Sequence, residues 1–141
     1  VTRIDFHVGA TDKLGYAARL VRKACGSGVK VTVTAPQELL ERFDVKLWTF
    51  SQLDFTPHVF VDSPLAAQTP VLLASDPKQS PWHEVLINLG ERVPDGFAAF
   101  ERLIELVGGE EAEKAAGRER YRHYRDRGYA LSTHEIDAGA A

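Results

Sequence analysis

The chain has 141 residues, 44% hydrophobic and 26% charged, with 17 Lys and Arg against 20 Asp and Glu and a formal net charge of −3. That balance is globular and long enough to bury a sizeable core; it excludes coating of DNA through bulk positive charge, so any contact with an anion must be local. The lone cysteine, Cys25, excludes an internal disulfide, which suits a reducing cytosol, and no run of about 18 apolar residues predicts a membrane span.

The N-terminus runs straight into a strand pattern, without a signal-peptide layout. Arg3–Val8 alternates Ile4, Phe6 and Val8 on one face and predicts the first strand. Thr11 or Asp12 is positioned to cap a helix over Lys13–Cys25, whose apolar residues recur at helical spacing. Gly26-Ser27-Gly28 stops that helix, because glycine readily takes the left-handed conformation at a helix end. Val29–Val33 is a β-branched strand, and Pro36 opens a second helix over about Pro36–Phe43. Strand, helix, strand, helix points to an α/β fold with parallel strands and right-handed crossovers.

The middle is less regular. Val45–Phe50 carries Trp48, and Asp54–His58 is a turn or extended loop holding Phe55. Asp62-Ser63-Pro64 marks another turn. Pro70–Ala74 and Glu84–Leu89 read as strands around a proline-bearing loop, Ser75–Pro81. A short helix begins at Asp95 or Gly96 and passes through Phe97 and Phe100; Glu101–Val107 either ends it or forms a further strand. Gly108-Gly109 then precedes a final helix that stops at Gly128, followed by extended Tyr129–Thr133. A single domain over residues 1–134 is expected, with 135–141 a flexible tail.

Familiar reactive centres are missing from the sequence. The turn after the first strand has glycines at 9 and 15, which is not the spacing that lets a backbone approach a pyrophosphate, and the second strand ends without an acidic residue for a ribose. The five histidines are scattered without zinc spacing, so neither a metal nor any other cofactor is expected. Cys25 reads as a structural thiol at a helix end, and no serine sits in a nucleophile elbow. What stands out is local. Lys114, Arg118, Arg122 and Arg125 share one face of the final helix, with Tyr121 and Tyr124 beside them. Trp48 and Phe55 lie among turn signals rather than on a clean core face, and read either as core or as anchors for a protein partner.

These residues carry a resemblance. Arg118-Glu119-Arg120-Tyr121-Arg122 with Tyr124-Arg125 and Gly128-Tyr129, together with Phe43-Asp44, Leu47-Trp48, Phe55 and Pro57-His58, resembles the chi subunit family of bacterial DNA polymerase III. The resemblance implies a Rossmann-like three-layer α/β domain, with a mostly parallel central sheet and no nucleotide-binding glycine motif. It also implies a non-catalytic clamp-loader accessory subunit of the cytoplasmic replication machinery. Lys114, Arg118, Tyr121 and Arg122 would then hold the acidic C-terminal tail of single-stranded-DNA-binding protein. Trp48, Phe55, Pro57 and His58 would face a psi-type subunit. Arg122 stands where lysine is common in that family, which keeps the charge but changes the donor geometry. Two other readings are a small α/β nucleotide-binding domain or enzyme with an atypical site, and direct single-strand binding through the basic stripe and its tyrosines. Glu110, Glu111, Glu113 and Glu119 on the same helix oppose the latter.

Overall fold

Period-two alternation along the strands sets the layers. In the computed structural model of the chain, residues 1–50 and 56–136 are described; the expected contact residue Phe55 lies outside them. The strands are β1 (Arg3–Ala10), β2 (Val31–Thr34), β3 (His58–Phe60), β4 (Val71–Leu73), β5 (Val85–Asn88), β6 (Arg102–Gly108) and β7 (Leu131–Glu135). The helices are α1 (Lys13–Gly26), α2 (Gln37–Phe50) and α3 (Glu111–Asp126). All seven strands form one sheet in the order β3-β4-β2-β5-β6-β1-β7, and every pairing is parallel.

Successive strand residues point to opposite faces. Val31, Val33, Ile87, Leu89, Ile104 and Leu106 face α1 and α2, where Ala17, Val21, Leu40 and Phe43 meet them. Ile4, Phe6, Leu86, Leu103 and Val107 face the other way, onto Tyr124 of α3 and onto Phe97 and Phe100 from the segment before β6. The result is three layers with both faces of the central sheet covered, the arrangement in which parallel sheets occur. The alternation expected for Ile4 and Phe6 is therefore the alternation that packs α3.

Local chemistry explains most boundaries. The Asp12 carboxylate accepts from the Gly15 amide at 3.0 Å and caps α1. Gly28, at φ +80°, turns the chain after α1, and Gly128, at φ +82°, does so after α3. α2 continues to Phe50, beyond the expected end at Phe43, because Leu47 extends the buried series Leu40, Phe43 at helical spacing. Trp48 therefore sits on a helix. Glu101–Val107 resolves as a strand, and Tyr129–Thr133 leads into an edge strand paired with β1. That strand reaches Glu135, and the Ile136 amide donates to the Val8 carbonyl at 2.9 Å.

Gly117 sets how closely α3 approaches the sheet. A Cβ there would lie 3.0 and 3.1 Å from the two Val107 methyl carbons. Gly117→Val is expected to overpack this contact and cost about 1–3 kcal/mol. Urea unfolding checks it: the midpoint falls while the slope stays unchanged.

Asp5 ties three strands together on the α1 side. Arg102 Nε on β6 donates to it at 2.6 Å, and the Ser132 hydroxyl on β7 donates to its other oxygen. Burial pushes the carboxyl up, but hydrogen bonds from Ser132 and Arg102 and the charges of Arg102 and Arg3 outweigh it and hold the group below the usual 3.8. A carboxylate depressed in the native state adds stability above its unfolded pKa, and that stability is lost as pH falls through the native one. Asp5→Asn should therefore lower stability at neutral pH, and the gap from wild type should close as pH drops below 3.8. Paired urea titrations across that range measure it.

Candidate functional site

α3 forms because acidic Glu111 and Glu113 occupy its first turn and basic His123 and Arg125 its last, matching the helix dipole at both ends. The Glu113 carboxylate also accepts from the Gly108 amide at 3.2 Å and from Lys13 Nζ at 2.9 Å, fixing the start of the helix against α1. Gly117, Arg120 and Tyr124 form the buried face. Lys114, Arg118, Arg122 and Arg125 are all exposed.

The cations differ in how they are engaged. Lys114 lies 3.9 Å from Glu111, and Arg122 pairs with Glu119. Arg125 meets Asp126 at 3.2 Å. Arg118 has no ion-pair partner among the described residues and stands between Lys114 and Arg122. Tyr121 is half-buried, its ring edge-on to Phe6 with centroids 5.3 Å apart. This flank thus offers an open guanidinium fork beside an aromatic shelf anchored in the core. A guanidinium holds a carboxylate through two parallel hydrogen bonds.

Tyr124 does not stand beside the stripe. It is fully buried, and its hydroxyl donates to the Glu105 carboxylate. That carboxylate lies on β6 with no exposed surface. It also accepts from Arg120 Nε and Asn88 Nδ2, each at 2.9 Å. Arg120 Nη1 reaches the Glu91 carbonyl at 2.9 Å. Burial pushes the Glu105 carboxyl up, against the pull of Arg120, Tyr124 and Asn88. Burial, and then the Glu105 charge, keep the Tyr124 phenol protonated far above its ordinary range. Arg120 is therefore a structural residue inside a basic motif, one signature arginine turned inward while its neighbour Arg118 faces solvent.

The described members of the second group, Trp48, Pro57 and His58, lie at the opposite edge of the sheet. Trp48 is 55% exposed on α2, and Val45, one turn earlier, is 60% exposed. The Trp48 ring lies 5.1 Å from that of His58. His58 itself is buried: Nε2 is 3.0 Å from Asp44, and Nδ1 is 2.7 Å from the Thr56 carbonyl. Pro57 is exposed beside it. The structure thus brings Trp48, Pro57 and His58 together, with His58 supporting the indole from below.

A cleft of ≈ 720 Å³ opens at the carboxyl ends of the strands, where open α/β sheets bind their ligands. Its charged lining has Asp76, Glu91, Asp95 and Glu113 against Lys13 and Arg92, and Lys13 is spent on Glu113. Such a lining repels phosphate. Among the described residues no group of three or more His, Cys, Asp or Glu is placed to hold a metal ion. None of their helices is long and apolar enough to cross a membrane.

Residues 1–132 match the family model described as DNA polymerase III chi subunit, HolC. The chain is 33% identical over 141 residues to the DNA polymerase III subunit chi of Pseudomonas aeruginosa, a match covering 96% of this chain and 98% of that protein. It is 30% identical to the subunit chi of Haemophilus influenzae, over 85% of each chain. To that of Escherichia coli it is 31% identical, over 76% of this chain and 74% of the other. On this coverage, together with the α/β architecture and the arginine-rich α3, the chain belongs to the DNA polymerase III chi subunit family.

Proposed function

We propose that this protein is a non-catalytic, cytoplasmic accessory subunit that links a clamp-loader complex to single-stranded-DNA-binding protein during replication. One surface, α3, takes the acidic C-terminal tail of single-stranded-DNA-binding protein. The observation that carries this is Arg118: exposed, without an ion-pair partner among the described residues, and flanked by Lys114, Arg122 and the Tyr121 ring. A free terminal carboxylate suits the guanidinium fork, and the acidic side chains before it suit the cations one turn to either side. The other surface, Trp48 with Pro57 over buried His58, binds a psi-type subunit, since a large exposed aromatic held from beneath is the form interface anchors take. Phe55 is part of this proposal by its position in the sequence. The nucleotide-binding alternative is disfavoured by the acidic lining of the strand-end cleft and by the missing glycine motif.

The two surfaces separate in a pull-down of single-stranded-DNA-binding protein and a psi-type subunit with wild type, Trp48→Ala and Arg118→Ala. Each variant should lose one partner and keep the other. Loss of both partners by either variant rejects the division.

A further inference from the structure

His7 and His134 are register partners on β1 and β7, and residues directly opposite on neighbouring strands point to the same side of the sheet. Their ring centroids are 5.3 Å apart. Two imidazoles holding one ion through nitrogens at about 2.0–2.1 Å, with a near-tetrahedral angle between them, bring their ring centres to roughly 5 Å. The pair is already close to that spacing. His7 is also oriented from behind: its Nδ1 lies 2.6 Å from the Tyr16 hydroxyl of α1. In the tautomer whose Nδ1–H donates to the phenol oxygen, the Nε2 lone pair is left free. This is the outer hydrogen bond that metal-binding histidines use to fix tautomer and ring direction. His134 is exposed, so the pair is open to solvent.

We infer that His7 and His134 form a two-histidine site for a borderline divalent transition-metal ion, Zn²⁺, Ni²⁺ or Cu²⁺, with solvent completing the coordination. Imidazole selects these ions, whereas Mg²⁺ and Ca²⁺ take oxygen ligands. Asp5, two residues earlier on the same face, adds no ligand because Arg102 at 2.6 Å and Ser132 hold it. The site lies apart from the α3 cations and is independent of the tail-binding role. Its consequence is mechanical: the ion clips edge strand β7 to β1, and an ion that binds the folded chain stabilises it by mass action.

The test is calorimetric titration of the tag-free full chain with zinc chloride and with magnesium chloride. One saturable zinc site per chain is expected, with no magnesium binding. His134→Ala, chosen because an exposed edge residue can be lost without emptying the core, should weaken zinc binding by about tenfold or more and remove the zinc-dependent rise in Tm. Tyr16→Phe should weaken binding by about tenfold while leaving the ligands in place. His123→Ala, on α3, should bind as wild type. Absence of saturable zinc binding, equal binding of magnesium, or wild-type affinity in His134→Ala overturns the assignment.

Discussion

Glu105→Ala should lower unfolding free energy by about 3–5 kcal/mol, because it strands the Arg120 guanidinium inside the protein with no countercharge. A typical domain is stable by only about 5–15 kcal/mol, so this one change threatens folding at physiological temperature. The cost comes from what is left behind. Arg120 is 3% exposed, and its Nη2 is buried without an acceptor among the described residues. Tyr124 would lose the acceptor for its hydroxyl and Asn88 one of its partners. The paired replacement Glu105→Leu with Arg120→Met removes both charges together and should recover most of the loss, since a buried ion pair stabilises little against well-packed apolar groups. Urea unfolding of Glu105→Leu, Arg120→Met and the double variant measures the coupling. Simple addition of the single losses would mean that the two charges do not depend on each other.

Arg118→Ala should leave stability unchanged and weaken binding of the acidic tail peptide by about 1.5–3 kcal/mol, roughly tenfold to a hundredfold, the range for a hydrogen bond to a charged group. The side chain is exposed and has no ion-pair partner among the described residues, so its loss should register in binding alone. Affinity should also fall with added salt, because solvent-exposed charges within a Debye length carry much of the attraction. Calorimetry at two ionic strengths checks both statements. A variant that binds like wild type would remove Arg118 from the site.

The contrast between these two arginines shows how much the sequence could say. Both belong to one short basic motif, and helical spacing alone put the exposed residues Lys114, Arg118, Arg122 and Arg125 on a common face. It did not show that Tyr124 turns away from that face. The buried series Gly117, Arg120, Tyr124 has the spacing of a core stripe, but its composition hides the pattern. Glu105 was the available clue: a carboxylate in the otherwise apolar run Leu103–Val107 needs a partner from another element.

The strand-helix alternation was legible wherever local chemistry is decisive, as in Ile4 and Phe6 on β1, the Asp12 cap and the Gly128 stop. It was not legible where tertiary pairing decides. β3 is a three-residue edge strand next to Pro57, and β7 exists because β1 leaves an edge free for it. The second half of α2 depended on Leu47 finding the same core as Leu40 and Phe43. Trp48 was recognised as a candidate anchor, but its support by buried His58 required the fold to bring residues 44, 48 and 58 together.

The most direct measurement of the central claim is an amide and arginine side-chain NMR map of the labelled protein titrated with the acidic tail peptide. The expected result is saturable perturbation centred on Lys114, Arg118, Tyr121 and Arg122, with the Arg118 side-chain signal moving most and α2 silent. Perturbation confined to the strand-end cleft around Gly90 and Asp95, or none on α3, would contradict the account.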